Sequence, residues 1–249
     1  MNSQEAIVIV GATSHIAQHV TSIWAQESNA AIFLIARDIS KLHPISSNLQ
    51  ILNPNSQIIC KQLLFSDIKT ANDLITQIAD SHTISKVLIA FGTLPDQSIC
   101  QKDFELAQNS LIINGVLPII FCEIFISKMK DVKSASLSII GSVAGDRGRK
   151  SNYFYGAAKG MIDTYVQGAR HRLSKSALHL CIIKPGPTES PMTEGMDNGL
   201  QLAKPASVAM DIVKGIKDRK AIIYTPTKWK LIMMIIRNLP EFIFKKLNI

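Results

Sequence analysis

Seven short runs of apolar residues divide this chain of 249 residues, and they constrain its fold more than any other feature. The runs lie near 5–10, 31–36, 57–64, 86–91, 135–141, 178–184 and 220–224. Each run is continuously apolar, which is typical of strands that are buried on both faces. Segments of helical periodicity lie between them, near 14–28, 103–130, 152–175 and 205–218. This alternation predicts an α/β fold in which a doubly wound parallel sheet of about seven strands carries helices on both faces.

The chain is predicted to form one domain followed by a short tail. No linker rich in Pro, Ser or Gly interrupts residues 1–225, and a composition of 47% hydrophobic and 18% charged residues suits one buried core. Residues 226–249 differ because they are both apolar and basic. We therefore predict a ligand-binding domain over 1–225 and a distinct tail over 226–249.

Several classes of protein are disfavoured by simple features of the sequence. The N-terminus has no basic region ahead of its short apolar run, so neither a secretory signal nor a transit peptide is expected, and we predict a cytoplasmic protein. The four cysteines are widely separated, with no CxxC and no paired Cys/His spacing. We expect reduced thiols, no disulfide framework and no metal site.

The formal net charge of +8 is concentrated towards the C-terminus. The last 26 residues hold five basic residues and one acidic residue, beside Trp229 and the apolar stretches LIMMII and FIF. No aromatic and basic motif of a nucleic-acid-binding module is present, so nucleic acid is not the expected partner. An anionic membrane surface is favoured, and contact with a second subunit is the alternative.

Two prolines divide the tail. Pro226 and Pro240 are predicted to bound one helical segment at 229–239, with a second segment at 242–249. Both are far shorter than the roughly 20 residues that span a bilayer. We expect the tail to lie in the membrane interface with Trp229 at headgroup depth, and we expect a chain that lacks 227–249 to keep its catalytic fold but to bind anionic liposomes less well.

The first predicted strand runs directly into the turn GATSHIA at 11–17. Such a turn presents backbone N–H groups and the positive end of a helix, which suits a pyrophosphate. Only Gly11 remains of a three-glycine pattern, because His15 and Ala17 occupy the other two positions. The residues assigned to a nucleotide cofactor in this turn are Gly11, Thr13, Ser14, His15 and Ile16.

Two residues that follow the second and third predicted strands bear on the choice of nucleotide. Arg37 stands where an NAD site normally has an acidic residue for the ribose hydroxyls, and an arginine there suits the 2′-phosphate of NADP(H). The alternative is a solvated loop residue. Asp67 either caps the helix that follows it or hydrogen-bonds adenine, and the sequence leaves both open.

The stretch SNYFYGAAKG at 151–160 places two tyrosines ahead of one lysine. Tyr155 and Lys159 are four residues apart and share one face of a helix, whereas Tyr153 does not easily join them. The small residues around the pair predict close access for a flat ligand. Tyr155 is therefore the candidate for chemistry.

These motifs, taken in order, resemble the short-chain dehydrogenase/reductase family. The resemblance covers residues 5 to about 225, from GATSHIA through Asn114, Ser142 in IIGSVAG and YGAAK to KPGPTESPM at 184–192. It implies a single-domain Rossmann fold and hydride transfer between a nicotinamide cofactor and a carbonyl group. NADPH or NADP is the expected cofactor, in preference to NAD.

The resemblance also implies a role for each site residue. Ser142 would hydrogen-bond the substrate carbonyl, and Tyr155 would supply the proton. Lys159 would favour the phenolate of Tyr155, whose pKa is ordinarily near 10, and would hold the nicotinamide ribose. Asn114 would hold a water that links Lys159 to solvent, or would serve only as a structural residue at a helix bend. Further implied cofactor contacts are Gly92, Pro185, Gly186 and Thr188.

The sequence departs from the family pattern in three ways, of which Ala17 in place of the third glycine is a small change. His15 takes the position of the second glycine, so its side chain has to point outward. The family's NNAG reads IAFG at 89–92 and lacks both amide side chains. These changes put cofactor affinity in doubt, although the implied catalytic residues are all present.

Within the family, the chain is similar to decaprenylphosphoryl-2-keto-ribose reductases. The similarity rests on GATSHIA, FGTLPDQ, GSVAGDRGRKSNYFYGAAKG and the apolar, basic tail. It implies a 2-keto sugar on a polyprenyl phosphate as substrate and a flavin oxidase as partner. Arg147, Arg149 and Lys150 would hold the lipid phosphate, or would form only a solvated charge cluster.

Three functional hypotheses follow. The first is NADPH-dependent reduction of a ketone to a secondary alcohol, on a lipid-linked keto-sugar at the inner face of the cytoplasmic membrane. The second is a soluble reductase of a small ketone, acyl or steroid-like substrate. The third is a catalytically silent nucleotide sensor or scaffold. The resemblance also implies a homodimer or homotetramer that pairs through helices within 103–130 and 152–175.

Overall fold

In the computed structural model, which describes residues 4–194 and 202–247, seven parallel strands form one sheet. The strands are β1 (Glu5–Val10), β2 (Ala31–Ala36), β3 (Ile58–Gln62), β4 (Thr83–Ile89), β5 (Ser136–Ile140), β6 (His179–Pro185) and β7 (Ile222–Thr225). Their order across the sheet is β3-β2-β1-β4-β5-β6-β7. Strands β2 and β3 therefore extend the sheet on one side of β1, and strands β4 to β7 extend it on the other side. The predicted doubly wound α/β fold is confirmed.

Helices cover both faces of this sheet. They are α1 (His15–Glu27), α2 (Leu42–Leu52), α3 (Ile68–Ser81), α4 (Gln97–Cys100), α5 (Phe104–Leu111), α6 (Leu117–Met129), α7 (Tyr153–Arg172), α8 (Pro205–Lys217), α9 (Lys228–Asn238) and α10 (Glu241–Phe244). Apolar residues of α3, α6 and α7 pack on one face, and those of α1, α2 and α8 pack on the other. The core is thus two apolar layers with the sheet between them.

The central strands are largely apolar because they contribute to both layers, whereas β3, at one edge of the sheet, ends in the exposed residues Lys61 and Gln62. In β1, Val8 and Val10 belong to one apolar cluster, and Ile7 and Ile9 belong to the other. Successive strand residues point to opposite faces, so a strand covered on both sides has no solvent-facing position to fill with a polar residue.

The predicted helical segment at 103–130 is interrupted near its middle. A π-helical turn at Ile112–Val116 separates α5 from α6. The segment Phe104–Met129 is long and apolar enough to cross a membrane, yet Phe121, Phe125 and Met129 are fully buried in the core. Its hydrophobicity is accounted for by packing against the sheet and α3.

Candidate active site

A large cleft of about 1190 Å³ lies at the carboxyl ends of the strands. Residues that follow β1, β2, β4, β5 and β6 line it, together with residues of α7 and α9. Ligand sites of parallel α/β sheets lie at this edge, and the cleft exceeds the usual 300–1,000 Å³ of sites for drug-sized ligands. The volume suits a dinucleotide and a substrate together.

The turn after β1 is built around Gly11. Its φ is +85°, and a Cβ atom at this position would lie 2.6 Å from the backbone nitrogen of Phe91. Only glycine allows this conformation and this approach to the end of β4. The backbone N–H groups of Gly11 and Ala12 both donate to the carbonyl of Ile35, at 2.9 and 3.1 Å, which fixes the turn against β2.

The helix that follows this turn presents its N-terminus to the cleft. Ser14 is the N-cap of α1 and accepts a hydrogen bond from Ala17 N at 3.5 Å. Thr13, Ser14, His15 and Ile16 all line the cleft. The side chain of His15 is exposed, as its position required, and Ala17 is fully buried in the packing of α1. The turn therefore keeps the geometry of a phosphate site without the second and third glycines.

Two cations line the cleft after β2. Arg37 and Lys41 are both exposed at its edge. The nearby carboxylate of Asp38 is held by Ser40, whose hydroxyl lies at 2.6 Å and whose backbone N–H lies at 3.0 Å. The hydrogen bond from the Ser40 hydroxyl is the main cause of a lowered pKa of Asp38. Lys41 was not identified from the sequence as a candidate cofactor residue, although it is a second basic residue only four positions after Arg37.

Asp67 caps the helix that follows it. Its carboxylate accepts hydrogen bonds from Thr70 N at 3.0 Å and Thr70 Oγ1 at 2.7 Å, at the start of α3. The cleft is lined by Leu64, Phe65 and Ser66 at this point, and Asp67 is not among the lining residues. The helix-cap interpretation is therefore correct, and the proposed contact with adenine stays a prediction.

The serine and tyrosine of the candidate site lie on adjoining elements. Ser142 follows β5, and its Oγ accepts a hydrogen bond from Ala144 N at 3.1 Å, which caps a short 3-10 turn at Val143–Gly145. Tyr155 lies in the first turn of α7, and both residues line the cleft. Burial raises the pKa of Tyr155 to about 12, with the neighbouring Ser142 hydroxyl acting in the opposite direction. The phenol is thus protonated near neutral pH.

Small residues bring the serine turn close to α7. A Cβ atom at Gly156 would lie 2.8 Å from the carbonyl oxygen of Ala144, and one at Gly145 would lie 2.7 Å from the carbonyl carbon of Lys159. That the small residues give a flat ligand close access stays a prediction. In the structure, Gly156 permits the backbone packing that places the turn of Ser142 beside α7.

Lys159 lies one helical turn beyond Tyr155 and is 3% exposed. Its Nζ donates a hydrogen bond to the carbonyl of Ile140 at 3.0 Å and lies 5.7 Å from the centroid of the Tyr155 ring. Burial lowers the pKa of Lys159 to about 8. The ammonium group is therefore present at neutral pH and is lost at mildly alkaline pH.

This lowered pKa predicts a pH dependence. Lys159 is cationic below about pH 8 and neutral above it, so an anionic dinucleotide loses a favourable charge as the pH rises. We expect kcat/KM for NADPH, which reports the free enzyme, to fall as the pH rises through about 8. A profile that stays level to pH 10 would contradict this assignment.

Asn114 lies in the π-helical turn and is fully buried. Its Oδ1 accepts a hydrogen bond from Thr93 N at 2.9 Å, and its Nδ2 donates to the carbonyl of Ser110 at 3.0 Å. The amide thus fixes the loop after β4, where Gly92 adjoins both Asn114 and Lys159. The structural role foreseen for Asn114 is present, and the water-holding role stays a prediction.

The loop after β6 forms the floor of the cleft. Pro185, Gly186 and Thr188 all line it, and their contact with the cofactor stays a prediction. The hydroxyl of Thr188 donates to the carbonyl of Gly186 at 2.9 Å, and Thr188 also bridges to Ala203. The segment 195–201 that joins this loop to Ala203 lies outside the described residues.

Helix α9 of the tail forms one wall of the cleft. The tail divides at Pro240 as predicted, into α9 and α10, although 248–249 lie outside the described residues. Trp229 is 8% exposed and packs with Val143 and Met233. A Cβ atom at Gly186 would lie 1.9 Å from Trp229 Nε1. The expectation that Trp229 lies at headgroup depth is therefore wrong, because its ring covers the backbone of the loop after β6.

The three basic residues after Ser142 are separated in space. Arg147 binds the end of α9 through the carbonyls of Ile236 at 2.7 Å and Leu239 at 2.6 Å, and it also contacts the Glu241 carboxylate at 3.3 Å. Its guanidinium lies 3.8 Å from the ring centroid of Phe244. Arg147 therefore holds the tail and does not line the cleft, contrary to the sequence-based grouping. Arg149 and Lys150 do line it.

A buried ionic network stabilises the turn that carries Ser142. Lys184 of β6 binds Asp146 at 2.5 Å and Asp163 of α7 at 2.9 Å. The hydroxyl of Tyr224, in β7, donates to the second oxygen of Asp146 at 2.8 Å. Burial lowers the pKa of Lys184, but its hydrogen bonds with the two carboxylates outweigh burial, and the net shift is upward. Asp146 follows the turn that carries Ser142, so the network ties that turn to three other elements.

These features define a nucleotide-dependent oxidoreductase with a Ser-Tyr-Lys site. The family model described as short chain dehydrogenase matches residues 5–201. The chain belongs to the short-chain dehydrogenase/reductase family and is an NAD(P)-dependent oxidoreductase. The more specific similarity to decaprenylphosphoryl-2-keto-ribose reductases lies beyond what this match establishes.

Relatives and solved structures agree with the family assignment. An uncharacterized oxidoreductase of Mycobacterium tuberculosis is 25% identical over 242 residues, which cover 97% of this chain and 96% of the relative. A short-chain dehydrogenase from Burkholderia cenocepacia in complex with NADP has a TM-score of 0.84, with 12% identity and full coverage of both chains. A short-chain dehydrogenase from Sphingobium yanoikuyae in complex with NADPH has a TM-score of 0.80, with 17% identity over 95% of this chain and 97% of that one. At these identities the two structures show the shared fold.

Proposed function

We propose that this protein reduces a ketone to a secondary alcohol with NADPH. The observation that carries the proposal is that Ser142, Tyr155 and Lys159 line one cleft large enough for a dinucleotide, with Lys159 Nζ 5.7 Å from the centroid of the Tyr155 ring. A carbonyl oxygen bound beside Ser142 and Tyr155 can accept one hydrogen bond from each hydroxyl.

The protonation states of these residues fit reduction. Tyr155, with a pKa raised to about 12, holds its proton at neutral pH and can donate it as the carbonyl oxygen gains negative charge. The Lys159 ammonium then stabilises the phenolate that remains. Ser142 holds the oxygen in place throughout. Bound NADPH would supply the hydride.

The residues of the cleft fit a bound NADP(H). The Gly11 turn and the N-terminus of α1 would hold the pyrophosphate, Gly186 and Lys159 would adjoin the nicotinamide, and Arg37 with Lys41 would meet the 2′-phosphate. The solved relatives with NADP or NADPH bound support this choice, and one from Burkholderia phymatum is described with NAD.

Arg37→Ala should therefore narrow the preference for NADPH over NADH. Loss of one charge-assisted hydrogen bond is expected to raise the KM for NADPH by about tenfold or more, with little change for NADH. Lys133→Ala is a matched control, because Lys133 is an exposed cation just before β5, at the opposite edge of the sheet. A wild-type preference for NADH would show that the interpretation of Arg37 is wrong.

The substrate is proposed to be amphiphilic, with a keto-sugar on a polyprenyl phosphate as the leading candidate. The apolar wall that Trp229, Ile232 and Ile236 of α9 contribute to the cleft supports a lipid portion. The sequence similarity adds a flavin oxidase as the proposed partner. A small ketone, acyl or steroid-like substrate is the alternative.

The test of this function is NADPH oxidation by the purified protein. A lipid extract and a panel of small ketones are supplied in parallel, and the carbonyl compound that disappears is identified by mass spectrometry. Consumption of a keto-lipid supports the leading proposal, and consumption of small ketones alone supports the alternative. A silent sensor or scaffold would oxidise no NADPH with any substrate.

The outer face of the tail is proposed to bind an anionic membrane surface from the cytoplasmic side. Leu231, Met234, Ile235 and Phe242 are between 55% and 69% exposed. Basic residues flank this face, namely Lys228, Lys230, Arg237, Lys245 and Lys246. Exposed apolar side chains among lysines are typical of a helix that lies in the membrane interface. A homodimer or homotetramer is proposed as well, by analogy with the family, and this face is then the alternative contact.

The structure changes how the membrane proposal is tested. Removal of 227–249 would also remove Trp229 and one wall of the cleft, so truncation should impair reduction as well as membrane binding. Lys245→Glu with Lys246→Glu leaves that wall intact. We expect this double variant to float less with anionic liposomes and to keep its activity on small ketones. Equal flotation of wild type and variant, or a tail-dependent oligomer without liposome binding, would contradict the proposal.

A further inference from the structure

Arg149 lines the cleft beside α9 and, within residues 4–194 and 202–247, forms no ion pair with an acidic side chain. Its Nη2 lies 3.2 Å from Met233 Sδ, which is a weak acceptor, and its Nε is buried without a hydrogen-bond partner among those residues. Its neighbour Arg147, in contrast, is fully engaged with α9 and α10. A half-buried guanidinium with a free donor is costly unless a ligand completes its hydrogen bonds.

The carboxylate that influences Arg149 is already occupied. Burial lowers the pKa of Arg149, and Asp146 opposes that shift. Both oxygens of Asp146 are taken, one by Lys184 and the other by Tyr224. The negative charge of Asp146 thus stabilises the Arg149 guanidinium, but Asp146 accepts no hydrogen bond from it.

A second incompletely bonded polar group lies next to Arg149. Asn152 also lines the cleft, at the N-cap of α7, but its side chain makes no capping hydrogen bond, and its Oδ1 is buried without a partner in the described part of the chain. Natural structures hold few such atoms, and two of them beside one cleft indicate a place that receives polar ligand groups.

The chemistry of the facing wall narrows the type of ligand. Ile232 and Ile236 of α9, with Trp229, present an apolar surface to the same end of the cleft, and Met192 adds to it. A ligand that fits both sides carries an anionic group and an apolar portion.

We propose that Arg149 binds an anionic group of the substrate, a phosphate or a carboxylate, while the α9 wall binds its apolar chain. The inference rests on the proposed ketone reduction only in placing this ligand at the substrate end. Arginine suits either anion because its planar fork can donate two parallel hydrogen bonds.

The test measures ligand binding, so it does not depend on turnover. Decyl phosphate, decanoate and decan-1-ol are titrated into NADP-saturated protein while tryptophan fluorescence is followed. Trp229 reports on the cleft, and the only other tryptophan, Trp24, is buried between α1 and the sheet. We expect both anions to bind more tightly than decan-1-ol, and the tighter of the two identifies the anionic group.

The variants separate a specific contact from general charge. Arg149→Met should weaken the preferred anion about tenfold or more and leave decan-1-ol unchanged. Arg149→Lys, which keeps the charge without the planar fork, should lie between the two. Lys133→Met is the control for net charge and should behave as wild type.

Three results would overturn the inference. They are equal anion binding by wild type and Arg149→Met, an equal loss of decan-1-ol binding in Arg149→Met, and no preference of the wild type for an anion. If Arg149→Met does not fold, as judged by thermal unfolding, Arg149→Lys decides the question through its ratio of anion to alcohol affinity. Failure here leaves the Tyr155 assignment intact, because that assignment is tested by turnover.

Discussion

Tyr155→Phe is expected to abolish ketone reduction while NADPH binding stays near the wild-type level. The substitution keeps the ring in its place beside Ser142 and removes only the proton donor. General acid catalysis contributes about 10²-fold or more, so the rate should fall by at least that factor. Steady-state NADPH oxidation measures the loss, and calorimetry measures cofactor binding.

Tyr153→Phe is the matched control. Tyr153 lies two residues earlier in α7, is 41% exposed and stacks on Phe154 with a centroid distance of 5.1 Å. It is not among the residues that line the cleft. Removal of its hydroxyl should therefore lower the rate of reduction only slightly. Equal activity in the two variants would show that the choice of Tyr155 is wrong.

Lys184→Met should destabilise the protein by about 3–5 kcal/mol. The side chain of Lys184 is 1% exposed and lies between the carboxylates of Asp146 and Asp163, whose side chains are 0% and 14% exposed. Removal of one partner from a buried ion pair leaves an uncompensated charge, which costs more than the pair itself contributed. The free energy of unfolding, measured in denaturant, tests this directly.

Two further variants show whether the uncompensated charge is the cause. Tyr224→Phe removes only one hydrogen bond to Asp146 and should cost about 1 kcal/mol. Asp146→Asn combined with Lys184→Met removes one of the stranded charges and should recover part of the lost stability. A cost of less than about 1 kcal/mol for Lys184→Met would contradict the proposed role of the network.

The sheet was predictable because its strands are covered on both faces. A run such as AIFLIA has no polar position, and in a chain of alternating strands and helices that pattern indicates a strand buried in the middle of a parallel sheet. Helix α2 was missed, and α3 was expected only as the helix that Asp67 could cap. Helix α2 contains Pro44 and two serines, which weaken its helical pattern. Helix α3 has a regular apolar stripe made by Ile68, Ala71, Leu74, Ile75, Ile78 and Ala79, so its bounds could have been predicted.

The residues of the site were predictable where local geometry brings them together. Tyr155 and Lys159 share a helix face at a spacing of four, and Ser142 follows a strand whose carboxyl end must face the cleft. The roles of Trp229 and Arg147 depend on how the tail folds back on the domain. No local pattern encodes that contact, so both were assigned to the wrong surroundings.

The ionic network shows a similar limit. In the sequence, Lys184 is recognisable only as the first residue of KPGP. The acidic partners of a lysine within an apolar strand cannot be predicted from the neighbouring residues. Its burial depends on Asp146 and Asp163, which lie 38 and 21 residues earlier in the chain. Contacts of this range are set by the packing of the sheet against α7.

Transfer of deuterium from NADPH that carries deuterium at both C4 positions of the nicotinamide tests the central claim most directly. The wild-type protein is incubated with labelled NADPH and the ketone that supports NADPH oxidation, and the alcohol product is analysed by mass spectrometry. We expect alcohol that carries one deuterium atom at the carbinol carbon with the wild type and with Tyr153→Phe, and almost no labelled alcohol after the same time with Tyr155→Phe. An unlabelled alcohol, or equal labelling in Tyr155→Phe and the wild type, would contradict reduction by NADPH with Tyr155 as the proton donor.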